Sequence, residues 1–297
     1  MRKYILGAGL LALVWTVNAK PTPAPAQAPA PLPRSVVIAT HPVGTSFHAM
    51  GTGIAKVLTE QMPLTAVVRP HSGPPAWLPQ MNRGQVELGL LLSPEAASAY
   101  RGSHLYEGRP TPNIRYLLRG GSILLAFIAP KISDIKTTAD LKGKRVPADW
   151  TGVPIGFFTT TAALATAGLS YNDVVKVPAS NYAEGARLFI EKRTEAGWHS
   201  VGSPAAEEMN ARLRGGIRFL PVGTGREALE RALQVLPGVS IQVVKAGSYT
   251  GVENDTPVLA VDINLISSAE LSEAAAYQVV KTILDNGDGS TTTAAPG

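Results

Sequence analysis

From Val36 onward the chain alternates, almost without a break, between short apolar runs and segments with helical apolar spacing. Strands separated by helices are joined most readily as a mostly parallel sheet with helices on its faces, which makes this alternation the strongest constraint on the fold. An α+β fold with fewer parallel pairs is the alternative. The first unit sets the pattern: residues 36–39 read as a buried strand, Pro42 and Gly44 break it, and Thr45 and Ser46 are candidate helix caps. Phe47, Met50, Ile54, Val57 and Leu58 then share a helical face. A strand, a hydroxyl-bearing loop and a helix N-terminus form a place where exposed N–H groups can hold an anion. An ordinary strand-to-helix turn with a capping hydroxyl has the same spelling.

Further strands are expected at 65–69, 86–92, 114–118, 124–129, 174–177, 195–198, 217–220, 240–245 and 257–264. Helices are expected at 94–101, 157–167, 182–192 and 204–214, with a proline-crowded loop over 71–79. Thr224-Gly225-Arg226-Glu227 reads as a capping box opening a helix to Val235, and Ser267-Ser268-Ala269-Glu270 as the cap of a last helix reaching Leu284. The order describes two α/β units in one chain, whose ligand site belongs in the cleft between them.

The termini are of another kind. Residues 1–19 have the parts of a secretory leader: Arg2 and Lys3, an apolar core, and Val17-Asn18-Ala19 as a cleavage site. An uncleaved anchor is the alternative; the cleaved leader implies a periplasmic location. Residues 20–34 are nearly all proline and alanine, a semi-rigid tether. The last residues, 287–297, are Gly, Ser, Thr and Ala with one acid, and are expected to carry no ordered structure.

Chemistry-bearing motifs are few. With no cysteine, disulfides, thiolate metal sites and a cysteine nucleophile are excluded. The net charge of +5 falls to +3 without Arg2 and Lys3, and no basic block stands out, so nucleic acid is not an expected partner. Gly51-Thr52-Gly53 lacks the third glycine of a dinucleotide fingerprint and reads as close helix–sheet packing. His41, His48, His71, His104 and His199 show no ligand spacing. No catalytic residue, metal or cofactor is expected.

Several phrases, in order, resemble the TAXI family of solute-binding proteins, receptors of tripartite ATP-independent (TRAP) transporters. They are Gly44-Thr45-Ser46-Phe47 at the first turn, Gly84-Gln85-Val86-Glu87-Leu88-Gly89 at the third strand, Ala139-Asp140-Leu141-Lys142-Gly143-Lys144-Arg145-Val146 at the start of the second lobe, and Ala246-Gly247-Ser248-Tyr249 before the return. The resemblance covers residues 35–286. It implies a two-lobed type II periplasmic binding protein with two crossover strands, a ligand cleft between lobes and no chemistry of its own. Lobe I would comprise 35–128 and 251–297, lobe II 129–250, with hinges near 126–130 and 245–251. The receptor would be a monomer that hands a small organic acid or amino acid to TRAP permease subunits. A same-fold sensor serving a membrane histidine kinase is the alternative, with an enzyme on this scaffold behind it.

This chain departs from the family at loops that line the cleft in relatives. Pro74, Pro75 and Trp77 stand in the second loop, Leu92-Ser93-Pro94 follows the third strand, and Trp150-Thr151 and Trp198-His199 mark the second lobe. The resemblance therefore implies an aromatic-lined cleft formed by Phe47, Trp77, Trp150, Trp198 and Tyr249. Thr45, Ser46, Ser93 and Thr151 would supply polar contacts, and Arg69, His71 or His199 a charge partner. Such a wall suits an apolar or flat body bearing a carboxylate, or a quaternary ammonium group.

Overall fold

A computed structural model describes residues 32–286. The expected leader, residues 20–31 of the tether, and the tail from 287 to 297 lie outside the described residues.

The first unit folds as its alternation requires. Strand β1 (Ser35–Thr40) pairs in parallel with β2 (Thr65–Pro70) on one side and β3 (Leu88–Leu92) on the other. Helices α1 (Ser46–Gln61), α2 (Pro74–Met81) and α3 (Ser93–Arg101) follow the three strands in turn. Every residue of β3 is buried, which accounts for its unbroken apolar run. A Cβ at Gly51 would lie 2.4 Å from Thr40 Cγ2, so Gly51 serves close packing of α1 on the sheet.

Proline and glycine misdirect the sequence reading twice. Helix α2 occupies most of the expected loop at 71–79, because Pro74 and Pro75 take its first two positions, where a missing N–H costs nothing. Strand β4 (Ile114–Pro130) is continuous through Arg119-Gly120-Gly121-Ser122, where two strands were expected. Strand β10 (Thr256–Ser268) runs antiparallel beside it across that stretch, and a bulge between Asp262 and Asn264 absorbs the irregularity.

These two long strands join the lobes. At one end β10 pairs with β3, and at the other with β9 (Ser240–Val244). The far end of β4 pairs with β7 (Gly197–Ser200) and β8 (Ile217–Phe219). The second crossing is thus β10 itself. Residues 245–251, expected to bend, form a turn tied to β8 by the Phe219 N–H, which donates to the Gly251 carbonyl at 2.9 Å. The second lobe adds a parallel pair, β5 (Arg145–Asp149) with β6 (Val175–Ala179), and helices α4 (Ile155–Thr166), α5 (Tyr182–Ile190), α6 (Pro204–Arg212) and α7 (Arg226–Val235).

Two expected caps move. Helix α7 starts after Gly225 with no side-chain cap, Glu227 reaching Arg231 at 3.9 Å instead. Ser267 and Ser268 are still strand residues, and the last helix, α8 (Glu273–Asn286), takes its cap from Ser272, which accepts from the Ala275 N–H at 3.3 Å. One apolar cluster runs from Ile38, Leu58 and Leu88 in the first lobe to Val146, Leu164 and Leu220 in the second. A smaller cluster gathers Phe189, Met209, Ile217 and Phe219. Among the described residues no helix is long and apolar enough to cross a membrane.

Candidate ligand-binding cleft

The loop after β1 and the end of β7 meet where the lobes face each other. In the first lobe Thr45 caps α1: its hydroxyl accepts from the His48 N–H at 3.2 Å and donates to the Pro42 carbonyl at 2.7 Å. That cap sets the course of the chain for Ser46 and Phe47, both buried. Phe47 stacks on His41 with ring centroids 4.0 Å apart and planes 7° from parallel. From the second lobe come Trp198, His199 and Ser200 of β7, and Tyr182 at the start of α5, which also stacks with His41 at 5.6 Å. Thr45, Phe47, Leu125, Tyr182, Trp198, His199 and Ser200 enclose a cavity of about 10 Å³, the room of one water.

The lobes are shut. Ser46 Oγ lies 2.7 Å from Ser200 Oγ, and the Ala205 N–H donates to the Gly44 carbonyl at 3.0 Å. The Gly152 carbonyl sits where a Cβ on Gly73 would be 1.9 Å from it, so that contact requires glycine.

Polar groups at this junction are neutral and under-used. His199 Nδ1 accepts from the Ser200 N–H at 3.1 Å and faces the Ser203 hydroxyl at 2.8 Å, whose oxygen in turn accepts from the Ala206 N–H. An acceptor at Nδ1 puts the ring proton on Nε2. That nitrogen, the indole N–H of Trp198 and both ring nitrogens of His41 are buried with no hydrogen-bond partner among the described residues. Burial holds His199 at a pKa of about 4 and His41 at about 3, so both rings are uncharged at neutral pH. A buried polar group left unpaired costs about 1–3 kcal/mol, and here several occur around one small cavity.

The structure brings together five of the residues singled out from sequence: Thr45, Ser46, Phe47, Trp198 and His199. It places the others elsewhere. Trp150, at a left-handed φ of +49°, packs on Gly156 and Gly185, donates to the Tyr171 hydroxyl at 3.2 Å and stands behind Tyr182, 5.4 Å between ring centres. Thr151 beside it is exposed. Trp77 is on α2, wedged over Gly89 of β3 in the core. Tyr249 lies over Gly202, outside the cavity. His71 is half-buried after β2, its pKa lowered by burial and by nearby Arg69, which is itself exposed.

Ser93 accepts from Asn264 Nδ2 at 2.7 Å and lines a different, larger groove of about 660 Å³ with Pro94, Ala97, Leu105, Phe158 and Leu236. That groove is roomier but gathers none of the buried unpaired polar atoms, so the cleft is the better candidate. Sequence reasoning passed over His41, Tyr182 and Ser200. The position of His41 directly after a parallel strand was the one available signal. Among the described residues no group of three or more His, Asp or Glu is arranged to hold a metal ion.

Two lobes joined by two long strands, with a polar and aromatic cleft between them, define a protein of the periplasmic-binding-protein fold. Solved structures agree. A periplasmic transporter superposes with a TM-score of 0.61 at 11% identity, covering 86% of this chain and 84% of that one. The alkanesulfonate-binding protein SsuA from Xanthomonas axonopodis pv. citri, bound to MOPS, gives 0.53 at 18% identity over 88% and 78% of the two chains. The amino acid ABC transporter substrate-binding protein AbpA from Streptococcus pneumoniae, bound to L-arginine, gives 0.51 at 11% identity over 87% and 91%. The chain belongs to the NMT1-like family, whose model matches residues 38–295.

Proposed function

We propose that this chain is a periplasmic solute receptor that captures a small organic ligand bearing a carboxylate between its lobes. It then releases that ligand, unchanged, to a TRAP-type membrane permease. The observation that carries the reading is that Trp198 and His199, whose Nε1–H and Nε2–H are buried and without partners among the described residues, both line one cavity. Donors without partners in a dry site are what an oxyanion recruits, and an anion takes stronger hydrogen bonds than a neutral group. The hydroxyls of Ser46 and Ser200 stand beside them. Among the described residues no Lys or Arg lines the cavity, so the anion would be held by neutral donors and the α1 N-terminus. The aromatic wall is His41, Phe47, Tyr182 and Trp198, with Trp150 as its backing.

Supporting the oxyanion is the SsuA likeness, a protein named for alkanesulfonates. The TAXI-like phrases in the sequence support the permease. A cavity of about 10 Å³ admits no organic acid, so capture requires the lobes to part about β4 and β10 and to close again on the ligand. A thermal-shift screen of aliphatic and aromatic carboxylates and sulfonates against the purified chain tests the reading. Ligands that bind only the folded protein raise its melting temperature with concentration. No shift from any member of the panel would overturn it.

A further inference from the structure

Helix α3 carries a face that packing leaves open. Helical spacing puts Pro94, Ala97, Ser98 and Arg101 on one side of it, and all four line the groove of about 660 Å³. Ala97 and Ser98, small residues at its middle, leave a trough there. Leu105 extends the first-lobe wall, while Phe158 of α4 and Leu236 after α7 form the wall from the second lobe. The groove thus belongs to both lobes, as the cleft does, yet the two share no lining residue. Ser93 and Arg101 both line it from opposite ends of α3, so it follows that helix for about 12 Å. Its volume is that of sites which enclose a whole small molecule.

The polar groups gather at one end. The Ser103 N–H donates to the Ser98 carbonyl at 3.1 Å, which brings Ser98, Arg101 and Ser103 together at the C-terminal turn of α3. Among the described residues lining the groove, Arg101 alone is charged, and it makes no hydrogen bond or ion pair with any described residue. Glu95, the one acid of α3, is not its partner: that side chain is wholly buried, its Oε1 accepts from the Tyr106 hydroxyl at 2.6 Å, and it does not line the groove. An arginine in the last turn of a helix complements the carbonyl end of the dipole wherever it stands. That accounts for the residue type, but not for an apolar trough, walled by two lobes, that leads up to it.

We propose that this groove is a second ligand site, for a single-chain fatty acid. The acyl chain lies along α3 between Leu105, Phe158 and Leu236, and the Arg101 guanidinium takes the carboxylate in its planar fork. The need for a long chain separates this ligand from the small one of the cleft, and the assignment does not rest on the receptor reading. Held by both walls, the fatty acid braces the lobes shut, because parting them would draw one wall away from it.

Sodium decanoate, 1-decanol and butyrate, titrated calorimetrically into the full chain, are the probes. Decanoate should bind saturably at one site, and butyrate, which lacks the chain, at least about thirtyfold more weakly. Ala97→Trp, a change at an exposed position, should fill the trough and cut decanoate affinity about tenfold or more. Arg101→Gln should weaken decanoate about threefold or more and leave 1-decanol within about twofold. The Ala205 amide, which crosses the lobes to the Gly44 carbonyl at 3.0 Å, should exchange with solvent more slowly under saturating decanoate. No decanoate binding overturns the site, and so does binding that both variants keep intact. The second result puts decanoate elsewhere, the cleft included, and leaves the receptor reading standing. Equal loss of decanoate and 1-decanol in Arg101→Gln overturns the carboxylate assignment, and unchanged Ala205 exchange with decanoate bound overturns the bracing. A dimer that Ala97→Trp dissolves, with no decanoate bound, would give the groove to a second copy of the chain instead. Should Ala97→Trp fail to fold, Arg101→Gln, also at an exposed position, decides the site.

Discussion

Two tryptophans of this chain look alike by every local measure and sit in different worlds. Trp77, on the α2–β3 layer of the first lobe, and Trp198, on the edge of the cleft, are both wholly buried, and both indole N–H groups lack a partner among the described residues. Trp77 is packed against β3: a Cβ on Gly89 would lie 2.6 Å from its ring, and Met81 is alongside. Around Trp198 stand His199, Ser200, Tyr182 and a small cavity, with Phe127 edge-on at 4.8 Å. A lone orphan donor in a core reads as a packing defect the fold tolerates, whereas several orphans around one cavity support the proposed binding site. The distinction is made by the neighbours, not by the residue.

The largest effect expected is structural. Trp77→Ala should remove about 3–5 kcal/mol of stability, the usual cost of emptying a large aromatic site in a well-packed core. Denaturant unfolding reads the loss. The fraction that remains folded should bind the best probe with wild-type affinity, and a large change in affinity would put Trp77 in the site after all.

Protons distinguish the same two regions, since the cleft holds buried titratable groups and the α2–β3 layer does not. His41 and His199, at about 3 and about 4 in the folded chain, recover the ordinary value of 6.5 on unfolding. Between pH 6.5 and 4.5 the unfolded state therefore binds more protons at these two rings, and stability falls as pH falls. Glu95 works the other way: burial raises its carboxyl from 4.5 to about 7, so over that window the folded state holds the extra proton. From these three groups the net is one proton, or about 1.4 kcal/mol of stability lost per pH unit on acidification. Glu95→Gln should steepen the loss to about twice that. Urea titrations at pH 6.5, 5.5 and 4.5 measure both slopes; equal slopes in the two proteins would show that Glu95 is not held protonated.

How much of this could be read from the letters follows the same division. The alternation of strands and helices was legible because burial on one face leaves a period in the sequence, and Thr45, Ser46 and Phe47 were legible because a cap after a parallel strand has its own spelling. Trp198 and His199 drew attention because two bulky, polar-tipped residues end a very short strand. Helix α2 was hidden by its prolines, two at its first positions and Pro79 inside it, and that error carried Trp77 from a core to a cleft. His41 and Tyr182 were hidden for another reason. They come from opposite lobes, and only the closed arrangement makes neighbours of them. A histidine and a tyrosine are each ordinary in isolation.

The finest test of the comparison is to make the same change in both places. Trp77→Phe and Trp198→Phe each remove one indole N–H and the same ring volume from a wholly buried site, so the packing penalties should be alike. Only Trp198→Phe removes a donor to the oxyanion in the proposed site. A hydrogen bond to a charged group contributes about 1.5–3 kcal/mol, which makes the expected loss of affinity roughly ten- to a hundredfold at position 198. At position 77 affinity should hold within a factor of about two. Calorimetric titration of both variants with one carboxylate probe reads the difference directly. Equal affinities would mean that the Trp198 N–H is as idle as that of Trp77, and the oxyanion would then have to be held by His199 and the serines.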